Sequence, residues 1–146
     1  LHMNITEPVA PIIGHLVQHA DRMITLKQLG TGHVVIGGGW PARLEPGSPV
    51  PRVERASLVG NVGLAAHIVP AIAGLAVVRT WAGINPNADG LCVIGPAAGH
   101  PGLFFAIGGD AGYTLGPVVA ALVAALVAGR DPQVDVTPYS VDRFAA

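Results

Sequence analysis

The sequence predicts an α+β chain, an antiparallel sheet with flanking helices that ends in a strand, a glycine-rich turn and a helix. Three observations predict it. Arg22-Met-Ile-Thr-Leu-Lys-Gln28 alternates apolar and polar residues, turns at Leu29-Gly-Thr-Gly32 and returns through His33-Val-Val-Ile-Gly-Gly-Gly39, the pattern of a β-hairpin. Between Glu54 and Ile72, the residues Leu58, Val59, Val62, Ala65, Ala66 and Val69 recur at helical spacing. Lastly, the short apolar run Leu103-Phe-Phe-Ala-Ile107 leads into Gly108-Gly-Asp-Ala-Gly-Tyr-Thr114. Beyond it Leu115, Val118, Val119, Leu122, Val123 and Leu126 share one helical face.

In chain order, Leu1-His2-Met3 reads as a cloning remnant and is set aside (residues 1–3). Pro8 to Leu16 reads as an extended entry or edge segment, because proline cannot donate to a sheet ladder. The hairpin follows, then a proline-rich loop from Trp40 to Arg52. The helix after it is weakened by Gly60 and Gly63 and should end or kink at Pro70. Leu75 to Trp81 and Leu91 to Ile94 read as strands, separated by the polar turn Gly83-Ile-Asn-Pro-Asn-Ala-Asp-Gly90. A Pro/Gly loop, Gly95 to Gly102, precedes the closing unit. Gly129 and Pro132 stop the last helix, and Asp131 to Ala146 reads as mostly irregular. This gives a sheet-with-helix portion over 4–105 and a turn, helix and tail over 106–146.

Composition narrows the function classes. The chain is 51% hydrophobic and 12% charged, where a self-contained domain carries about 25% charge. Part of this surface is therefore expected to be covered by another domain, another chain or a cofactor. A net charge of -1 without a basic run gives no nucleic-acid signal. The single cysteine, Cys92, excludes a disulfide framework and a cysteine-based metal site, and fits a reducing, cytoplasmic setting. It lies in an apolar strand and reads as an inert core thiol. The apolar run Leu115 to Ala128 falls short of the about 20 residues that cross a bilayer, and is read as a buried helix.

His15 and His19 are four apart but lack a convincing third ligand, so no metal site is expected. His33, His67 and His100 read as turn or surface residues. There is no Gly-x-Ser-x-Gly elbow. Gly37-Gly-Gly39 is followed by the proline-rich loop rather than a helix, which is not a dinucleotide fingerprint.

The candidate site begins at the closing unit. Gly108, Gly109 and Gly112 let backbone approach a ligand, and the helix start offers N–H groups to an anion or an electron-rich ring edge. The same spacing suits a turn packed on its neighbours. Arg79, Trp81, Asn85 and Asp110 sit at strand ends or in the turn, where ligands are usually met. The Arg79 fork suits a carboxylate, or a structural ion pair. Asn85, between Ile84 and Pro86, is equally a turn former.

These residues carry a resemblance. Trp81-Ala-Gly-Ile-Asn-Pro-Asn-Ala-Asp-Gly-Leu-Cys-Val-Ile-Gly-Pro96, Pro101-Gly-Leu-Phe-Phe-Ala106 and Gly108-Gly-Asp-Ala-Gly-Tyr-Thr-Leu-Gly-Pro117, in that order, resemble the C-terminal part of the D-amino-acid oxidase, glycine oxidase and sarcosine oxidase family. The hairpin strands Thr25-Leu-Lys-Gln28 and His33-Val-Val-Ile-Gly37 are similar to its substrate-domain strands, and Pro138-Tyr-Ser-Val-Asp-Arg-Phe144 to its closing segment. The resemblance implies an FAD-dependent oxidoreductase acting on the C–N bond of an amino acid or secondary amine by hydride transfer to flavin. The family's N-terminal FAD-binding domain would be a missing part or partner subunit, and this chain alone would be inactive. Gly108, Gly109, Asp110, Ala111, Gly112, Tyr113 and Thr114 would lie along the flavin ring. No catalytic acid–base side chain is implied.

Two departures from the family pattern bear on the substrate. Where many members have Arg-Pro, this chain has Asn85-Pro86, and in glycine-oxidase-like members that arginine holds the substrate carboxylate. Lys27 or Arg79 is then the substitute cation, with Trp81 and Asn85 as further substrate contacts. At Gly108 and at Asp110 to Ala111, relatives often have His or Gly, which implies a substrate other than a simple glycine-like amino acid. A reading from another class is a non-catalytic assembly module that docks a partner through its apolar helix. Either reading leaves an apolar helix face that favours self-association of the chain alone.

Overall fold

The computed structural model describes residues 1–145. The chain divides into two compact units, one over Leu1–Ile84 and one from Asn85 onward.

The first unit is a five-stranded antiparallel sheet in the order β2-β3-β4-β1-β5, carrying one helix. Its strands are β1 (His2–Pro8), β2 (Val17–Gln18), β3 (Thr25–Gln28), β4 (His33–Gly37) and β5 (Val77–Ala82), and the helix is α1 (Arg55–Ile68). The expected hairpin is β3–β4, paired from Thr25↔Gly37 to Gln28↔Val34. It is shorter than the alternation suggested. At Gly38, φ is +117°, and an added Cβ would lie 2.4 Å from the Ile24 backbone, so pairing stops where the two chains cross closely. Leu26, Val34 and Ile36 point to one side and form the core with Ile24, Ala65 and Ile72. The helix ends at Ile68, just ahead of Pro70, as expected. Gly60, which looked like a weak point, makes room for the Trp40 ring, 2.3 Å from where its Cβ would be.

The sequence reading missed β1. His2 and Met3, set aside as a remnant, belong to this strand, which lies inside the sheet between β4 and β5. Apolar alternation could not reveal it, because its inward residues are polar: His2, Asn4 and Thr6 are all fully buried. Each makes at least one hydrogen bond, although His2 Nδ1 is buried without a partner. Asn4 Nδ2 donates to Asn61 Oδ1 of α1 (2.8 Å), and Thr80 Oγ1 donates to Asn4 Oδ1 (2.8 Å). Asn61 Nδ2 donates to the Gly37 carbonyl (2.9 Å). The Val34 N–H donates to Thr6 Oγ1 (3.0 Å), and the Glu54 N–H to His2 Nε2 (3.1 Å). His33, at the start of the expected returning strand, is half-buried in β4 with Nδ1 2.7 Å from the Thr6 carbonyl.

The second unit holds a two-stranded antiparallel pair, β6 (Val93–Pro96) and β7 (Phe104–Ile107), and the long helix α2 (Gly112–Val127). A single 3-10 turn, Gly109–Ala111, joins β7 to α2. Val119, Leu122, Val123 and Leu126 of α2 pack against Cys92, Ile94, Val136 and Tyr139. The expectation of a buried helix is corrected here. A two-stranded sheet covers only one strip, so within this unit Val119 is the one fully buried residue of α2, and Val118 and Val127 are exposed. Helical structure runs unbroken from Gly109 to Val127, through Pro117, so the helix extends beyond the apolar run and reaches 19 residues, with a mean hydropathy of 1.6 over its 18-residue window. By length and composition alone it passes the test for a membrane-crossing helix, a test that the core helix of a soluble protein also passes.

The tail is tied down by Arg143. Its guanidinium donates to both Asp89 oxygens (2.8 and 2.9 Å), to the Cys92 carbonyl (3.0 Å) and to the Ser140 carbonyl (2.8 Å).

Candidate functional site

Side chains alternate across a strand, so the residues between the buried ones of the first unit face away from α1. Register places Lys27 opposite Val35, Val35 opposite Ile5, and Ile5 opposite Arg79, so these four form one row across β3, β4, β1 and β5. Trp81, opposite Met3, lies two residues along β5 on the same face. The sheet therefore brings Lys27, Arg79 and Trp81 to its open face. It does not bring both cations to one ligand. Lys27 and Arg79 are three strand spacings apart, about 14 Å, more than one small carboxylate spans. Arg79 instead pairs with Trp81, its guanidinium carbon 5.6 Å from the ring centroid, a cation–π contact. It joins neither of the two ion pairs found among the described residues, Arg52–Glu45 and Arg143–Asp89.

In the second unit the glycines of the turn have distinct tasks. Gly109 has φ +59°, and a Cβ there would lie 2.9 Å from the Leu91 carbonyl. A Cβ on Gly108 would lie 2.6 Å from Gly112 Cα. Both serve close packing of the turn itself. Gly112 and Gly116 differ: a Cβ on either meets nothing within 4 Å. One helical turn apart, they leave a smooth open strip at the start of α2. No side chain caps this helix start, and the 3-10 turn Gly109–Ala111 runs straight into it. Tyr113 and Asp110 are exposed.

Asn85 is already engaged. Its Nδ2 donates to Asp110 Oδ1 (2.5 Å), and Asn87 Nδ2 donates to Asp110 Oδ2 (2.5 Å). Within the loop, Asn87 N–H donates to the Asn85 carbonyl (2.9 Å), Gly90 N–H to Asn87 Oδ1 (2.6 Å) and Leu91 N–H to Asp89 Oδ1 (3.2 Å). Asp89, hydrogen-bonded by Arg143, is held well below the usual carboxylate range, at about 2. Sequence reasoning passed over Asn87, Asp89 and Arg143. The available signal was the density of Asn and Asp in Asn85-Pro-Asn-Ala-Asp89, residues whose side chains bond their own turn backbone. Cys92 is buried as expected, and its Sγ donates to the Gly108 carbonyl at 3.6 Å. An open apolar cleft of about 470 Å³ is lined by Arg22, Met23, Trp40, Pro41 and Leu64, and contains none of the candidate residues.

Residues 2–126 match the family model for FAD dependent oxidoreductases, DAO. The chain belongs to this family. It is 31% identical to a glycine oxidase of Pseudomonas aeruginosa over 91% of this chain and 39% of that protein. It is 36% identical to a glycine oxidase of Geobacillus kaustophilus over 67% of this chain and 26% of that protein. The crystal structure of glycine oxidase from Geobacillus kaustophilus superposes with a TM-score of 0.84 at 27% identity, covering 97% of this chain and 38% of that one. The chain thus spans well under half the length of the relatives it matches.

FAD is the cofactor of this DAO family. The open Gly112–Gly116 strip leaves room for the edge of a flat ring. The packed glycines, Gly108 and Gly109, hold that helix start in place.

Proposed function

We propose that this chain is the C-terminal, substrate-facing part of a flavoenzyme that oxidises the C–N bond of an amino acid or secondary amine. The observation that carries this reading is the uncapped, glycine-smoothed start of α2 in a chain of an FAD-dependent family. Backbone from Gly108 to Thr114 would lie along the flavin edge, where the positive end of the α2 dipole would stabilise negative charge. Bound FAD supplies the acceptor for the hydride that leaves the carbon beside the amine nitrogen. The protein's own part is positional. Arg79, stacked on Trp81, offers a planar two-donor fork for an anionic group of a substrate over the open sheet face. Lys27, on the same face but a sheet's width away, adds positive potential rather than a direct contact. Asn85 acts through its bond to Asp110.

The remaining length of the relatives supports a second element of this reading. The exposed apolar surface of α2 packs against the nucleotide-binding part of the enzyme, in the same polypeptide or a partner subunit. The 146-residue chain alone is then inactive. The test is a flavin titration of the chain, alone and mixed with the region encoded just upstream, followed by the visible flavin spectrum. Flavin bound only in the mixture and bleached by amino acids or secondary amines is the expected result. Flavin bound by neither sample sinks the reading and leaves a non-catalytic assembly module as the better account of α2.

A further inference from the structure

We propose that the His2 side chain is an acid-released latch: neutral, it holds the start of α1 to the sheet, and protonated, it lets that helix start go. The proposal goes beyond the flavoenzyme reading and does not depend on it. His2 opens β1 and is fully buried. Its backbone N–H donates to the Trp40 carbonyl (2.8 Å), where the loop after β4 begins. Its ring Nε2 accepts the Glu54 N–H (3.1 Å), where that loop ends and α1 starts. Between these two points the loop's hydrogen bonds, among the described residues, run only within itself. Arg43 and Arg52 exchange backbone bonds (3.0 and 2.7 Å), Arg52 pairs with Glu45, and Ser48 bonds to Glu45 and Val50. The next hydrogen bonds from α1 to the sheet are those of Asn61 to Asn4 and Gly37, about two helical turns further on. The His2 ring is thus the bond that closes the far end of the loop and the first turn of α1 onto the sheet.

The ring can make this bond in one protonation state only. Because Nε2 accepts, the neutral ring carries its proton on Nδ1, and Nδ1 is buried with no partner. A second proton would go to Nε2 and set donor against donor at the Glu54 N–H, with the positive end of the α1 dipole behind it. Burial penalises a ring cation, the amino group of Leu1 repels it and Glu54 attracts it, and the balance leaves the ring below the usual histidine value. The other charged groups of the surrounding elements do not offset this. On α1 they are Arg55, beside Glu54, and His67 at the far end. In the loop Glu45 is taken by Arg52, and Arg43 adds positive charge. On the strands, Arg79 of β5 lies on the opposite sheet face, while His33 of β4 and Glu7 of β1 lie at the other end of β1. A histidine depressed in the latched state contributes stability that is complete above the free value of about 6.5 and is lost as pH falls below it. If only the released ring takes up the proton, the released form grows about tenfold between pH 7.5 and pH 5.5.

The test uses the full-length protein and two measurements. Ring nitrogen shifts of the protein labelled with nitrogen-15 histidine, with the His2 signal assigned by its loss in His2→Gln, report where the proton sits. At pH 8 the expected result is a neutral ring with its proton on Nδ1, and a proton on Nε2 overturns the proposal. Amide hydrogen exchange, corrected for its intrinsic pH dependence, then reads release. Between pH 7.5 and pH 5.5, exchange at Glu54 to Leu58 should speed up about tenfold, while exchange at Ala65 to Ile68 stays constant. His2→Gln keeps an acceptor oxygen for the Glu54 N–H and does not titrate, so its exchange at Glu54 to Leu58 should not respond to pH. No acceleration in the parent, an equal acceleration along all of α1, or the same acceleration in His2→Gln overturns the latch. If His2→Gln does not fold, assignment passes to Glu54→Pro, which removes the N–H that the ring accepts, and the parent's proton position and local exchange decide.

Discussion

At the scale of single residues, the glycines of the closing turn separate packing from ligand approach. Gly109 has a positive φ and no room beside the Leu91 carbonyl, so Gly109→Ala carries about 1–3 kcal/mol of backbone strain and displaces the loop that ends at Leu91. Gly112 has an ordinary helical φ of -52° and open space beyond its Cα. Gly112→Ala therefore folds as well as the parent or gains about 0.5–1 kcal/mol from helix propensity. In the longer enzyme the same methyl group stands where the flavin edge approaches, and flavin affinity falls at least tenfold. Urea denaturation followed by circular dichroism reads the first effect, and flavin titration the second. If Gly112→Ala binds flavin normally, the open strip is not the flavin's approach side.

At the scale of elements, the Arg143–Asp89 clasp links the tail to the loop before β6. The bond from Arg143 depresses the Asp89 carboxyl to about 2 in the folded chain. A depressed carboxylate pKa stabilises the fold above the unfolded value near 4, and that contribution is lost as pH falls from about 4 toward 2. The urea midpoint of the parent should therefore drop more steeply between pH 5 and pH 2.5 than that of Arg143→Gln, which has no such bond to lose. Parallel pH profiles would show that the clasp does not act as a folding contact. This element also marks how far the sequence could be read. The β3–β4 hairpin, α1 up to Pro70 and the β7–turn–α2 unit were legible, because periodicity and Gly/Pro punctuation are local. β1 was not, because its inward face is His2, Asn4 and Thr6, whose partners Asn61 and Thr80 lie 57 and 76 residues from Asn4. The Asn85–Asp110–Asn87 clasp was illegible for the same reason. Each residue could be picked out as polar and loop-borne, but a contact across 25 residues leaves no local trace.

At the scale of the whole molecule, low charge and an under-covered α2 are one fact. The chain is 12% charged, and its longest helix hides a single strip against β6 and the tail. Leu115, Val118 and Val127 remain exposed. Such a surface is costly in water, at roughly 25 cal/mol for each Å² of apolar area left uncovered. In isolation the chain should reduce this cost by self-association through α2, seen in light scattering as a mass that rises with concentration. Val118→Lys with Val127→Lys changes two exposed positions, so helix content should be kept while association weakens. The same pair should impair flavin binding by the mixture with the upstream region, because it charges the surface proposed to pack on the nucleotide-binding part. A parent that stays monomeric at high concentration rules out the association, and a lysine pair that leaves flavin binding by the mixture untouched rules out α2 as the packing surface.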